Sequence, residues 1–305
     1  MIRLIDKNEI DVFKWDNCVE SDRISLPYAL HWYLDLCAND WEALVYNDYQ
    51  NVMPLPFNKK YGISYIYRPY GTQQLGIFGK EKSPELTKYF LQHIPKKYKW
   101  VDYFFNEDTI EVDYPNCKWE PQVNQILDLR NSYQSIYENY STQTIKNLNK
   151  AKKANFRIFE NDSPDVLIRM FQNNKGKDIS SLDESKYSKM RQIMYAFLHK
   201  RKGFIWTVYD DRNTACSGIF IMQFKNRLIL MFTAADDYGK QHGGMSFLLN
   251  ELFIQFSEKH WIFDFEGSNL EGLARFNSGF GAEKRIYYRV VRDTLPWIVS
   301  SILNR

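Results

Sequence analysis

The chain has 305 residues, of which 44% are hydrophobic and 25% charged, and its formal net charge is +3. This composition is typical of a globular protein, and the length predicts two domains rather than one small core. So small a net charge does not require a nucleic-acid partner. No apolar run is long enough to span a bilayer, and the charged start, 1–10, does not resemble a signal peptide. We therefore expect a cytoplasmic protein without a membrane span.

The four cysteines and five histidines are scattered along the chain. They form no C-x-x-C pair, no H-x-H and no H-E-x-x-H pattern, which are the spacings typical of metal sites. The sequence therefore predicts reduced thiols and no bound metal.

The first half of the chain predicts a helix, three neighbouring strands, a second helix and a further strand. Trp32 lies in the first helix, where it either packs in the core or lines a cleft. A polar loop with glycines, 68–76, follows the third strand, and Ser83-Pro84 is an N-cap pattern for the second helix. These elements are expected near residues 28–37, 43–46, 52–57, 63–67, 84–93 and 99–106.

The second half predicts the same order of elements. Residues 70–76 share Tyr, Gly, Gln and a final Gly with residues 238–244, and Trp100 and Trp261 open similar strands. Such short matches can arise by chance, but the shared order of elements predicts a duplicated unit. Strands and helices of this half are expected near residues 203–209, 215–223, 227–234, 245–258 and 261–265.

A connector, 126–160, joins the halves without a long flexible linker. Its most distinctive part is a basic helix over 142–154, whose lysines bind phosphates or are simply solvated. The expected domains are therefore 1–125 and 126–305, with the connector in the second. Other elements are expected near residues 126–129, 132–140, 156–159, 183–200 and 294–303, and a further helix is expected to start at Ser163-Pro164.

A glycine motif precedes the predicted helix 245–258. Two glycines let backbone N–H groups approach a ligand, and a helix N-terminus favours phosphate, although a tight turn is an equally valid interpretation. The matching loop of the first half has Leu75 and Phe78 where this one has small residues, so we expect only the second copy to bind a donor. The candidate cofactor-binding residues of the motif are Gln241, Gly243, Gly244, Met245 and Ser246.

The stretch 261–281 predicts a strand, an acidic turn and a short helix. Polar residues thereby gather at one strand end, which is where ligands bind in open α/β sheets. Simpler roles are also available to them. Ser268 and Glu271 match a capping box, Glu266 could be solvated, and Arg275 is spaced to pair with Glu271.

These motifs together resemble the FemAB-like acyltransferases, the double-domain branch of the GNAT superfamily. The resemblance covers 70–78, the connector from 128 to 151, Gly243-Gly244 and 263–281, in the order of the family. The family has an aromatic residue and a lysine before Gly-Phe-Gly. Here Phe276 is followed by Asn277 in place of that lysine, which places a peptidoglycan-precursor substrate in doubt.

The resemblance implies a mixed α/β fold with two tandem GNAT-like domains side by side. A long heptad pair is missing from 175–202, so the coiled-coil arm of the cell-wall enzymes is not expected. The implied reaction transfers an acyl group from an acyl-CoA-type donor to an amine in a bacterial cell. Two alternatives stay open: an aminoacyl-tRNA-dependent enzyme acting on a cell-wall precursor, and an inactive GNAT pair that serves as a binding module.

The resemblance also implies roles for particular residues. Glu266 is the candidate general base, and Arg275 is the second candidate catalytic residue. A backbone N–H near Thr233 would bind the oxyanion, because this strand edge lies beside the donor loop in GNAT folds. The candidate acceptor-binding residues, from both halves, are Trp32, Arg68, Tyr70, Gln73, Gln74, Ser268, Phe276 and Asn277.

Overall fold

The structure is a computed structural model that describes residues 1–24, 26–267 and 269–295. Two predictions fall wholly or largely outside these ranges. They are the capping and acceptor-binding roles of Ser268 and the final helix expected near 294–303.

Two units make up the chain. The first contains Met1–Gln122 and the chain from Ile286 onward, and the second is Val123–Arg285. The predicted domains, 1–125 and 126–305, divide the chain differently at its C-terminal end. Residues from 286 onward group with the first unit because residues 288–293 form an antiparallel ladder with residues 100–105.

The first unit contains two short 3₁₀ turns, Lys7–Glu9 and Pro27–Ala29. In chain order the main elements are β1 (Ile2–Asp6), α1 (Val12–Ser21), α2 (His31–Cys37), β2 (Asp40–Tyr46), β3 (Asn51–Lys60), β4 (Ile63–Ile66), β5 (Phe78–Gly79), α3 (Pro84–His93), β6 (Tyr98–Phe105) and β7 (Cys117–Asp128).

The second unit continues the chain and adds one 3₁₀ turn, Lys175–Asp178. Its elements, up to the strand that returns to the first unit, are α4 (Tyr133–Glu138), α5 (Thr142–Ala151), β8 (Arg157–Glu160), α6 (Pro164–Asn173), α7 (Glu184–His199), β9 (Gly203–Tyr209), β10 (Ala215–Phe224), β11 (Arg227–Ala235), α8 (Asp237–His242), α9 (Gly244–Phe256), β12 (Ile262–Asp264), α10 (Glu271–Ser278) and β13 (Glu283–Asp293).

The strand order is the same in the two units. The first unit has the order β1-β2-β3-β4-β6-β13, and the second has β8-β9-β10-β11-β12-β7. In each order only the fourth and fifth strands, β4 with β6 and β11 with β12, are parallel. A helix connects each parallel pair, α3 in the first unit and α9 in the second. The shared topology supports the predicted duplication.

Several helix starts follow the predicted sequence patterns. The Ser83 hydroxyl accepts a hydrogen bond from the Leu86 N–H at 3.0 Å, and the Ser163 hydroxyl accepts one from the Asp165 N–H at 3.2 Å. Proline is the first residue of both helices, α3 and α6, where its missing N–H costs nothing. These N-caps confirm the predicted boundaries.

The core of the second unit lies between its sheet and α9. Ile219 and Ile221 of β10 and Leu228 of β11 are fully buried against Leu248 and Leu252 of α9. Burying each such side chain contributes about 1.5–3 kcal/mol. This packing fixes the N-terminal end of α9 above the sheet.

Two local predictions are wrong. Residues 238–244, matched by letters to 70–76, belong to α8 and the start of α9, whereas 70–76 is not helical. Asp236 explains the difference, because its side chain accepts a hydrogen bond from the Gly239 N–H at 2.7 Å and so starts α8. The helix expected from Ser268 begins later, at Glu271, and its N-cap Leu270 provides no side-chain hydrogen bond.

Candidate active site

The parallel strands β11 and β12 separate after a short ladder. They pair only from Arg227↔Ile262 to Ile229↔Asp264. Beyond this point β11 follows β10, with a register shift that leaves Met231 as an extra residue, and such a bulge bends its strand. The chain after β12 follows β7 instead, since the Phe265 N–H donates to the Gln125 carbonyl at 3.0 Å. A gap therefore opens between the two strands.

A cavity of about 480 Å³ occupies this gap. Its walls are mainly apolar and come from eight places in the second unit. They are 230–235 of β11, 265–267 after β12, Gly243, Met245 and Ser246 at the start of α9, Leu273, Phe276 and Asn277 of α10, Gly239 and Lys240 of α8, and Asn147, Phe171 and Lys175 from α5, α6 and the 3₁₀ turn.

The cavity gathers many of the predicted site residues but not all of them. Gln241 and Gly244 are not among its lining residues, and neither is Arg275, which is exposed and paired with Glu271 at 2.6 Å. This pair is the simpler role that the i,i+4 spacing also indicated. The predicted residues that line the cavity are Thr233, Gly243, Met245, Ser246, Glu266, Phe276 and Asn277.

The two glycines at the start of α9 are required by close packing inside the protein. Gly243 has φ +77°, and a Cβ there would lie 2.4 Å from the carbonyl oxygen of Asn147 in α5. A Cβ on Gly244 would lie 2.5 Å from the hydroxyl oxygen of Ser217 in β10. The glycines thus make room for α5 and β10, a reason that the sequence analysis did not foresee.

Glu266 occupies a constrained turn at the cavity wall. Asp264, fully buried, accepts hydrogen bonds from the Glu266 N–H and from the Asn124 side-chain amide, both at 2.9 Å. The Arg227 guanidinium lies 3.2 Å from the other oxygen of Asp264. Glu266 itself has φ +43°, and a non-glycine residue in this region carries strain that often accompanies function. A buried ion pair therefore supports the backbone of the candidate base.

The cavity is lined, among its described residues, by one carboxylate and two exposed lysines. They are Glu266, Lys175 and Lys240. Both lysines are more than half exposed, and they pair with Asp178 and Asp237 at 3.4 and 3.1 Å. The first turn of α9 adds the partial positive charge of a helix N-terminus. The arrangement suits a ligand with an apolar end inside and an anionic end at the lysines.

The predicted acceptor residues of the first half lie in the first unit. Gln73 and Gln74 are buried, and Gln74 bonds to the Gln73 side chain at 2.9 Å and to the Glu107 N–H at 3.0 Å. The Arg68 guanidinium lies 3.9 Å from the centre of the Phe104 ring. Trp32 and Tyr70 are half-buried. Their role in binding an acceptor stays a prediction.

Some lining residues carried no local signal in the sequence. Asn147, Phe171 and Lys175 come from segments that the sequence places far from the strands, and only tertiary packing brings them to the cavity. The Arg227–Asp264 pair did have a signal. Each residue is a charge at the end of an otherwise apolar strand, and such charges are buried only when paired.

The described residues contain neither a membrane-spanning helix nor a cluster of metal ligands. No helix within them is both long and apolar enough to cross a membrane. Nor do three or more His, Cys, Asp or Glu side chains in these ranges come together as metal ligands.

Comparison with known proteins rests on structure, since no family model and no curated protein matches the sequence. The chain is similar to FemX, with a TM-score of 0.64 and 12% identity over 94% of this chain and 96% of that one. It is similar to a conserved protein of unknown function from Bacteroides thetaiotaomicron, with a TM-score of 0.61 and 11% identity over 96% and 99%. L-PGS from Bacillus licheniformis gives a TM-score of 0.52 and 14% identity over 92% and 96%. These likenesses confirm the FemAB-like fold.

Proposed function

We propose that this chain is an N-acyltransferase that moves an acyl group from an activated carrier to an amine. The observation that carries the proposal is the cavity where β11 and β12 separate, with Glu266 at its wall. The fold shared with FemX and L-PGS supports acyl or aminoacyl transfer as the class of reaction.

An acyl-CoA-type thioester fits the cavity as donor. A volume of about 480 Å³ lies within the range of small-molecule sites, about 300–1,000 Å³. The acyl chain would contact the apolar walls, and the phosphates would lie near Lys240 and the first turn of α9. Past Ile229, β11 has left β12, so backbone N–H groups near Thr233 can reach the thioester carbonyl oxygen.

In this proposal the residues at the cavity take part in the transfer step as follows. The acceptor nitrogen attacks the thioester carbon, Glu266 takes a proton from the nitrogen directly or through water, and the oxyanion is bound by backbone N–H groups near Thr233. The carbon–sulfur bond then breaks, and the leaving thiolate takes up the proton that Glu266 received, directly or through water. Asp264 and Arg227 hold the Glu266 turn during these steps.

An aminoacyl-tRNA is the second candidate donor. The helix α5 favours it, because Asn147 lines the cavity while Lys146 and Lys150 of the same helix are exposed. Exposed lysines beside a cavity can contact a phosphate backbone. A further similar structure, with a TM-score of 0.55 and 10% identity, is the C-terminal domain of a protein from Agrobacterium fabrum named as a lysylphosphatidylglycerol synthetase, that is, for an aminoacylated product. We place the reaction in the bacterial cytoplasm, where both types of donor are present.

Thermal-shift measurements with CoA, acetyl-CoA and longer acyl-CoAs, followed by a native gel with charged tRNA, test the donor. We expect an acyl-CoA to raise the melting temperature and Lys240→Glu to weaken its binding at least threefold, or about 0.7 kcal/mol. Lys59→Glu, an exposed lysine of the first unit, is the matched control. Binding of charged tRNA alone would select the second candidate. Failure of every donor to bind the folded chain would leave the binding-module alternative.

A further inference from the structure

A second cavity lies in the first unit, away from the predicted acceptor residues of that unit. Its volume is about 310 Å³, and Lys96, Lys99 and Arg292 are among its lining residues. It lies where β6 begins and β13 ends. The predicted acceptor residue Gln74 lies at the other end of β6, where it accepts a hydrogen bond from the Glu107 N–H. The eight residues of β6 separate the two ends by about 23 Å. The cavity is therefore distinct from that predicted site.

The walls of this cavity are well fixed. Thr294 donates from its N–H and its hydroxyl to the Lys99 carbonyl, both at 2.9 Å, and so joins the end of β13 to the start of β6. On another side the Cys117 N–H donates to the Tyr114 carbonyl at 3.1 Å. Pro115 and Asn116, with φ +60°, occupy the central positions of this turn, as a type II turn favours.

Three basic residues line the cavity, and no carboxylate is among its described lining residues. The Arg292 Nε is buried and has no hydrogen-bond partner in the described part of the chain. Burial lowers the pKa of Arg292, and the opposing effect comes from Cys117 and Tyr114 rather than from a carboxylate. A buried donor of this kind is costly unless a ligand satisfies it.

We propose that this cavity binds the phosphate group of a small phosphate monoester, with Arg292 as the main contact and Lys96 and Lys99 beside it. A guanidinium matches the geometry of phosphate oxygens, and three cations balance a dianion better than a single carboxylate. A volume of about 310 Å³ is at the lower end for small-molecule sites, so it accommodates an organic group on the phosphate.

Isothermal titration with phenyl phosphate and with inorganic phosphate, at constant ionic strength in chloride buffer, tests the site. Wild type is expected to bind phenyl phosphate saturably at one site per chain. Arg292→Gln should weaken binding about tenfold or more, because it removes a charge-assisted contact, and Lys99→Gln about threefold. Lys88→Gln, on the exposed face of α3 in the same unit, should bind like wild type.

The melting temperature in phosphate-free buffer separates binding from folding. Arg292→Gln removes a buried charge, so its melting temperature should not fall below that of wild type. Should that variant fail to fold, the Lys96→Gln/Lys99→Gln double variant provides the same binding test. Equal binding of phenyl phosphate by wild type and a folded Arg292→Gln variant, or no saturable binding by wild type, would overturn the proposal. Acyl donors are absent, so neither result depends on the proposed transferase activity.

Discussion

The two parallel strand pairs of the molecule have the same topology and different surroundings. In the second unit, β11 and β12 separate and a cavity fills the space. In the first unit, the segment after β4 returns to lie along β6, where the Leu75 N–H donates to the Phe104 carbonyl at 2.7 Å. Gln74, Leu75 and Phe78 of that segment are buried. The two units therefore have the same strand order, and the connecting segment decides whether a cavity forms beside the parallel strand pair.

The two connections differ for local reasons. In the second unit Asp236 starts α8, and Gly243 turns the chain directly into α9. In the first unit Pro69 and Gly71, with φ +86°, lie in a non-helical segment, and α3 starts only at Pro84. The longer connection supplies the side chains that fill the space beside β6.

The largest expected effect comes from the ion pair beneath the cavity. Asp264→Ala leaves Arg227 buried without its carboxylate, and such a loss costs about 3–5 kcal/mol. The Asp102–Arg289 pair of the first unit is the matched control, since its side chains are 27% and 32% exposed. Asp102→Ala should cost about 1 kcal/mol or less. Urea denaturation measures the loss of stability in both variants. Equal losses would contradict the view that Asp264–Arg227 is a buried structural pair and Asp102–Arg289 is not.

Glu266→Gln addresses the catalytic role proposed for the second unit. It preserves the size of the side chain and removes the base, so the catalytic rate should fall at least tenfold, or about 1.4 kcal/mol. Glu271→Gln, an exposed carboxylate on α10, is the control and should leave the rate unchanged. Steady-state kinetics with the identified donor gives the answer, and a rate close to wild type would remove Glu266 from the mechanism.

Each unit also contains a buried thiol that limits alkaline stability. Burial raises the pKa of Cys18 in the first unit and of Cys216 in the second from 9.0 to about 12. Since the folded pKa is the higher one, this contribution to stability is complete below about pH 9 and is lost as the pH rises towards 12.

Between about pH 9 and 10, each thiol should lower the free energy of unfolding by about 1 kcal/mol. Denaturation of wild type, Cys18→Ala and Cys216→Ala at both pH values measures the effect. Each variant should lose less stability than wild type over this interval. Equal losses in all three proteins would mean that these thiols do not titrate on unfolding.

The smallest expected effect concerns the strained turn at Glu266. A glycine accepts φ +43° without strain, whereas alanine does not, so Glu266→Gly should be more stable than Glu266→Ala by about 1 kcal/mol. Both variants should have lost catalytic activity. Thermal denaturation compares them, and an equal or lower melting temperature for the glycine variant would show that the turn stores no strain.

Sequence patterns and the family resemblance predicted the order of elements along the chain, the N-caps at Ser83 and Ser163 and seven of the residues that line the cavity, because these signals lie in short stretches of sequence. The role of the glycines could not be predicted in this way. A Cβ on Gly244 meets Ser217, 27 positions earlier in the chain, so a large residue there would disturb folding before it affected a donor. Lys175 and Phe171 reach the cavity only through the packing of α6, for which the sequence has no local pattern.

Hydrogen–deuterium exchange of the wild-type chain, with and without a saturating acyl-CoA, tests the asymmetry of the two units most directly. The account predicts that the donor slows exchange in residues 230–235 and 243–247 of the second unit and leaves residues 67–79 of the first unit unchanged. Slower exchange in residues 67–79, with no change in 230–235, would contradict it.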